Sequence, residues 1–501
     1  MGIPRFYGSF LKEKYPQCLV NELPDGTVSS LNIDMNSLLH EVNAIAFKES
    51  DDFDNYFNLL KAKLLEIIEE LKPQDLVILA IDGVAPMSKI IQQRQRRYKS
   101  ILKPPNPYFD SNSITPGTDF MIKLDKHFGE WFEKELSKMY KFKLIYSSHL
   151  SPGEGEHKIL DYIRDGELDQ NKVHVIYGLD ADLIVLSLIS NLNYIYLLRN
   201  DIADVIDITK LRLQLINDLT GEEMRNESIY DFAVMSFFVG SDFLPVSPAF
   251  ESLKDNLVNM IQKYRKINIQ FTNQGRIIWS NFYRFLKSVS FSEEYYLQKE
   301  SRKEKAMGYV MMENSIINGE FNYDTFRSLW YANEFQEDTI TIEMIYLMCK
   351  DYLKTSEWIL NYYINGNRKS DQYFYYHFNH SPLIKDVVAS INRYSKERRV
   401  SPITTVLNPV YQLICVIPPH SFAVLPNELR QYLSSNSVCF ADMLPKQFEL
   451  EVDGKNAEWQ AIPLLPFPDI NRIIFCISNG NEMISLMNSL EEVNDFIYQR
   501  K

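Results

Sequence analysis

Residues 149–163 read HLSPGEGEHKILDYI, with Glu154 and Glu156 on either side of one glycine. One acid there could simply complement a helix start. Two of them, with more acids closing apolar runs elsewhere, point to a cation site. Asp34 closes SSLNID, Asp82 closes DLVILAID, Asp180 and Asp182 stand in GLDADLI, and Asp242 stands in GSDFLP. Carboxylates gathered in one crevice raise each other's pKa unless divalent cations sit among them. Oxygen-only ligation suits hard ions, Mg²⁺ first, with Mn²⁺ able to substitute. Two such ions roughly 4 Å apart can activate water and stabilise a leaving oxygen in phosphodiester cleavage. Singly, each acid has a plainer reading: an Asp at a strand end is ordinarily a turn or cap residue, and DAD reads as a helix cap with a first-turn acid. Their joint placement carries the metal reading, and Gly155 is read as the bend that lets one loop reach both ions.

A second pattern follows Asp82. The segment GVAPMSKIIQQRQRRYKS holds cations at Lys89, Arg94, Arg96, Arg97 and Lys99 and no acid from Lys89 to Lys99. Lys89, Gln93, Arg96 and Arg97 are spaced i, i+4, i+7 and i+8, so they share one helix face. Guanidinium forks bind phosphate oxygens bidentately, which suits a terminal phosphate. A solvated charged face is the ordinary alternative. The lack of compensating acids in a chain of net charge −13 argues against it.

Positioning these groups requires an alternating framework. The apolar runs SSLNID, DLVILAID, KFKLIYSS, VHVIYGLD and NYIYLLR are separated by the amphipathic stretches NYFNLLKAKLLEIIEEL, TDFMIKLDKHFGEWFEKELSKMY, EHKILDYIR and ADLIVLSLI. That pattern predicts an α/β fold with a mostly parallel twisted sheet flanked by helices. In such sheets the binding crevice lies at the carboxyl ends of the strands, where these acids fall. Beyond about residue 250 the chain turns helical and aromatic-rich. The reading is an α/β domain over 1–300, a short linker over 301–325 around SRKEKAMG, and a helix-rich second region over 326–501 that packs on the first and completes the pocket.

The negative net charge argues against a protein that coats nucleic acid non-specifically, but not against a local polyanion site. No run of about 18 uncharged apolar residues is present, so no membrane span is expected. The start MGIPRF has Phe6 where a myristoylation motif wants Ser or Thr. The cysteines Cys18, Cys349, Cys415, Cys439 and Cys476 are scattered singly and form no zinc motif. They read as reduced thiols of an intracellular, cytoplasmic rather than nuclear, protein.

Together these stretches resemble the XRN family of 5′→3′ exoribonucleases. The resemblance runs through MGIPRFY, LNIDMNSLLH, DGVAPMSKIIQQRQRRY, DSNSITPGTDFM, SPGEGEHKILDYIR, GLDADLIVLSL and FFVGSDFLP, and then EWILNYY, PVYQLICVIPPHSFAVLP and DGKNAEWQAIPLLPFPD. It implies a PIN/FEN-like nuclease core and processive hydrolysis of 5′-monophosphorylated single-stranded RNA to mononucleotides, with two Mg²⁺ ions. It assigns Asp34, Asp82, Glu154, Glu156, Asp180, Asp182 and Asp242 to catalysis and metal binding, and Lys89, Gln93, Arg96 and Arg97 to a tight 5′-phosphate pocket. It makes His40 and Trp358 a base-stacking pair, although alone they read as a satisfied histidine and a core tryptophan. Asp231 becomes an outer acid behind the site. The expected protein is a monomer coupled to a decapping activity.

The chain departs from the family pattern at three places. Only YKSILKPPNPYF separates Arg97 from DSNSITPG, so the family's charged helical tower is expected to be missing. Ser241 stands in GSDFLP where the family has Asn, and the stretch before YYHFNHSP is rich in Tyr instead of Trp. Two other readings compete: a flap-type DNA nuclease, and a catalytically inactive RNA-binding scaffold.

Overall fold

A computed structural model describes residues 6–23, 27–190, 192–199, 204–250, 253–478 and 481–498. Residues 1–5, within the stretch MGIPRFY, lie outside it.

The expected mostly parallel sheet is present. Its order is β1 (Leu19–Val20), β7 (Val205–Asp207), β6 (Tyr194–Leu198), β5 (Val173–Tyr177), β2 (Val28–Asp34), β3 (Leu76–Ala80), β4 (Lys143–Ser147) and a last strand Phe496–Tyr498. The five strands β6, β5, β2, β3 and β4 run parallel. Antiparallel strands close both edges. Continuous apolar runs give strands buried on both faces, and β2 is buried along its whole length. The pleat then sorts side chains by period two. In β3, Leu76, Ile78 and Ala80 enter one apolar cluster while Val77 and Leu79 enter the other.

Flanking helices begin at side-chain caps. Asp34 accepts from the Asn36 amide at the start of helix Met35–Ala46. Asp52 caps Phe53–Leu71 and Thr118 caps Asp119–Trp131. The basic helix Met87–Ser100 ends without a projection, and up to the cap at Thr118 the chain forms only the short turn Ser111–Ser113.

The interval 301–325 is more structured than a polar linker. It carries the short helix Val310–Glu313 and the two-stranded ribbon Ile316–Ile317 with Glu320–Phe321. The larger apolar cluster runs without a break from sheet residues such as Ile78 and Ile176 to Trp358, Tyr362 and Tyr394 of the second region. No described helix is long and apolar enough to cross a membrane. Cys18, Cys349 and Cys415 are buried, Cys476 is half-buried and Cys439 is exposed, all as free thiols.

A strap formed by Glu449–Glu451 and Ile462–Leu464 docks back on this body. The Asp453 carboxylate accepts from the Val310 and Met311 amides at 2.6 and 3.2 Å, and Gly454 N–H donates to Gly308 O. His380 joins strap to body: its Nδ1 lies 2.5 Å from Glu334 Oε2 and its Nε2 2.6 Å from Glu451 Oε2. Burial pulls the imidazolium pKa down, but the two carboxylate hydrogen bonds outweigh it and lift the pKa to about 9. A raised folded pKa means that this stabilisation is complete below the ordinary His value and fades as pH climbs through about 9. His380→Gln should cost about 3–5 kcal/mol in urea unfolding at pH 7, since it leaves buried carboxylates without their cation. The difference from wild type should shrink above pH 9, and a pH-independent difference would show that His380 is not the charged clasp.

Candidate metal and phosphate site

Parallel topology delivers the acids to one rim. Asp34 ends β2, Asp82 lies two residues beyond β3, Glu154 and Glu156 follow the loop after β4, and Asp180 follows β5. Ligand oxygens of Asp34, Asp82 and Glu156 all lie within 4.8 Å of one another. Asp34, Glu154, Glu156 and Asp182 are each at most 4% exposed. Asp242 reaches the same place from the turn after helix Ser228–Val239. That turn is set by Ser241, whose Oγ accepts from the Phe243 amide at 3.0 Å.

The glutamate loop is locked rather than flexible, which corrects the role read for Gly155. The left-handed residue is Gly153, at φ +105°. Gly153 N–H donates to Val84 O while Gly83 N–H donates to Gly153 O, so the Asp82 and Glu154 loops are pinned together. Gly155 serves close approach: a Cβ there would stand 2.6 Å from Asp34 Oδ1 and 3.0 Å from Ala80 O. Its amide donates to Asp82 Oδ1 at 2.7 Å.

Three residues that sequence reasoning passed over hold this arrangement. Asn36 donates Nδ2 to Asp82 Oδ2 at 2.6 Å and accepts from the Asp82 amide at 3.0 Å. Lys158, buried, donates Nζ to Ile81 O and Ser148 O at 2.6 and 2.7 Å, fastening the strand ends. Tyr362, on the long helix Ile342–Asn365, donates to Glu154 Oε1 at 2.8 Å. Asn36 and Lys158 stood inside LNIDMN and GEGEHK, where position relative to the acids was the available signal. Tyr362 stood inside EWILNYY, but no acid lies next to it in the sequence to signal its contact with Glu154.

Electrostatics identify what the cluster lacks. Burial, then the Asp82 and Asp180 charges, raise the Asp34 pKa well above the usual range. Burial and Glu154 do the same for Glu156. Asp182 rises to about 7, first through burial, with Lys89 opposing and Asp180 and Asp242 reinforcing. Asp182 Oδ1 is buried without a hydrogen-bond partner. Oxygen donors this close, this buried and this short of counter-charge fit a hard divalent cation.

The basic helix divides its side chains. Lys89, read as a phosphate-binding residue, bridges Glu154 and Asp242, with Nζ 3.0 Å from Asp242 Oδ2. Gln93 is buried and its Oε1 accepts from Gln412 Nε2 at 3.1 Å. Arg97 is buried, with Nη1 donating to Asn112 Oδ1 at 3.1 Å and Nη2 to Ile114 O at 3.3 Å, both from the stretch DSNSITPG. Arg96 is exposed and has no hydrogen-bond or ion-pair partner among the described residues. His40 is exposed and lies near Arg96 and Arg97; the protein packed around its ring and then these two charges lower its pKa. A cavity of ≈ 910 Å³ opens beside Asp242, lined by Ser88, Gln92, Arg199, Phe243 and Tyr375 among others.

Two expectations need correction. Trp358 is 2% exposed, stacked on Tyr362 at 5.0 Å, and donates Nε1 to Asp371 O. As placed, it offers no open face to a base. Asp231 is a tie within the helical region: its carboxylate accepts from Tyr264 Oη, the Phe271 amide and Thr272 Oγ1. Burial first raises its pKa, to about 6, against the pull of those bonds.

Sequence comparison places the chain in a known family. The profile described as "XRN 5'-3' exonuclease N-terminus" matches residues 1–107 and 102–201, and that described as "Xrn1 helical domain" matches 224–320 and 320–492. The chain belongs to the XRN family. It is 26% identical to 5'-3' exoribonuclease 1 of Homo sapiens over 97% of this chain and 34% of that protein. It is 24% identical to 5'-3' exoribonuclease 1 of Schizosaccharomyces pombe over 97% of this chain and 49% of that protein. It is also 24% identical to the 5'-3' exoribonuclease 2 homolog of Drosophila melanogaster, over 94% and 70% respectively. It thus spans about a third to a half of the length of the first two. A solved structure, the catalytic core of Rad2 with DNA substrate, overlaps 74% of this chain and 88% of its own at TM-score 0.35 and 12% identity. The fold description rests on the sheet order above.

Gly155→Ala tests the geometry. The added methyl must displace Asp34 or the β3 carbonyl, so Mn²⁺ affinity should fall at least ~10-fold by calorimetric titration. Unchanged affinity would mean that Asp34 does not ligate.

Proposed function

We propose that this chain is a divalent-metal-dependent 5′→3′ exoribonuclease that removes mononucleotides processively from 5′-monophosphorylated single-stranded RNA. The observation that carries the reading is the convergence of ligand oxygens of Asp34, Asp82 and Glu156 within 4.8 Å, with the unpartnered guanidinium of Arg96 on the helix that follows Asp82 in the chain. The names of the relatives, 5'-3' exoribonuclease 1 and 2, support the same activity.

Asp34, Asp82, Glu154, Glu156, Asp180, Asp182 and Asp242 would hold the cations, with Mg²⁺ the fitting ion for an all-oxygen donor set and Mn²⁺ an acceptable one. When bound, a pair of such ions supplies Lewis-acid activation of water and charge stabilisation at the leaving oxygen. The chain does the rest. Arg96 and Arg97 bind the 5′-phosphate, which fixes the end of the strand and registers the next phosphodiester on the acids. Arg97 contributes from a rigid position, held by Asn112 and Ile114. His40, neutral at pH 7, presents an uncharged ring for the terminal base, and stacking of that kind tolerates any sequence. Tyr362 and Asn36 keep Glu154 and Asp82 in position. The free thiols support a cytoplasmic setting, and we place the enzyme, as a monomer, after decapping or cleavage of transcripts.

Purified chain with Mg²⁺ should degrade 5′-monophosphate RNA at least ~10-fold faster than 5′-hydroxyl or 5′-triphosphate RNA, the range a charge-assisted phosphate contact provides. Arg96→Ala should erase most of that preference, and Asp182→Ala should lower cleavage by ~100-fold or more. Equal digestion of all three ends would remove the phosphate pocket; full activity of Asp182→Ala would remove the metal site.

A further inference from the structure

The acid cluster is not uniform. Asp34, Asp82 and Glu156 face one another, while Glu154 and Asp242 already share a cation, the Lys89 ammonium. That ammonium is buried, with side-chain exposure of 8%, and lies 5.8 Å from the centre of the Phe243 ring. The other Glu154 oxygen is engaged by Tyr362. A divalent ion entering between Glu154 and Asp242 therefore meets an ammonium on the acceptors it needs. We propose that Lys89 occupies the second cation subsite, and that a divalent ion binding there drives Lys89 off Glu154 and Asp242 and onto the substrate 5′-phosphate.

The inference rests on the metal-dependent reading above and deepens it. Its physical basis is competition. Buried carboxylates without a counter-charge are costly, so an internal ammonium stabilises Glu154 and Asp242. A hard divalent ion brings twice the charge and prefers the same oxygens. Once it is bound, like-charge repulsion disfavours an ammonium beside it. The helix supplies an alternative for the released group: Lys89 shares its face with Gln93, Arg96 and Arg97, so a rotamer change carries the ammonium along that face without moving backbone. Cation binding and 5′-phosphate binding then become linked, and linkage is reciprocal: a 5′-phosphate that draws Lys89 away tightens the second cation.

The test is Mn²⁺ titration of the intact chain by electron paramagnetic resonance, without RNA, for wild type, Lys89→Gln and Arg96→Gln. Arg96→Gln removes the same charge from the neighbourhood without touching a carboxylate. Lys89→Gln should tighten the weaker Mn²⁺ site at least ~10-fold, and Arg96→Gln by less than about 3-fold, within the usual span of coupling strengths. Adenosine 5′-monophosphate should tighten that site in wild type and leave it unchanged in Lys89→Gln. Equal shifts in the two variants, or none in Lys89→Gln, overturn the proposal. A wild-type crystal soaked with Mn²⁺ gives an answer that does not depend on the variant folding. Lys89 Nζ should lie beyond about 4 Å from Glu154, outside ion-pair range. Mn²⁺ on Glu154 with Lys89 still in place overturns the exchange. A chain with only one Mn²⁺ site also overturns it, while RNA end selectivity still reports separately on the exoribonuclease reading.

Discussion

Buried carboxylates cannot remain charged and close together without a cation, and this constraint organises the molecule. Parallel strands bring Asp34, Asp82, Glu154 and Asp180 to one rim because β2, β3, β4 and β5 all end on the same side. Close approach then requires Gly155, where a side chain would collide with Asp34 and with β3. Two internal lysines respond to the resulting field in different ways. Lys89 joins the acids directly, whereas Lys158 fastens the strand ends through backbone oxygens. Burial lowers the Lys158 pKa to about 8, with nearby Asp495, Asp82 and Asp125 opposing the shift. Such a site favours whatever brings more positive charge, which is why a hard divalent ion fits it.

The second region belongs to the same machinery. Tyr362 reaches across to Glu154, and its ring stacks on His157 of the glutamate helix at 3.8 Å. The basic helix also takes partners from the second region: Met87 N–H donates to Gln372 O, Ser88 Oγ to Phe374 O, and Arg94 Nη1 to Cys415 O. Lys99 Nζ donates to Trp459 O and Ala461 O on the strap. Of the side chains on the helix's site-facing side, Gln93 is held by Gln412 of the second region, whereas Lys89 and Arg97 are held by Glu154, Asp242, Asn112 and Ile114 of the first. Cutting the chain near residue 300 would strip the basic helix of its second-region supports, an expensive loss of buried hydrogen bonds.

Much of the site was readable in the sequence because it depends on topology. Apolar runs ending in Asp predict a shared rim once the sheet is parallel, and the strands fell within a few residues of the runs that marked them. What could not be read depends on side-chain direction and long-range contact. Helical spacing correctly put Lys89 beside Gln93 and Arg97, but spacing cannot say that the ammonium turns inward to Glu154 while Arg96 stays in water. Trp358 and Tyr362 are one turn apart on one helix. Packing buries both, turning the first toward the Asp371 carbonyl and the second toward Glu154, and neither outcome follows from helical spacing. The last strand, Phe496–Tyr498, is three residues long and pairs with β4 across the whole chain, beyond the reach of any periodicity argument.

The most direct test of the central claim is equilibrium dialysis of the metal-stripped chain against Mn²⁺, with Asp34→Asn in parallel. The account predicts two ions per wild-type chain, the number a paired-cation mechanism requires, and at most one for the variant. A wild-type chain that binds none, or a variant that binds as many as wild type, would contradict it.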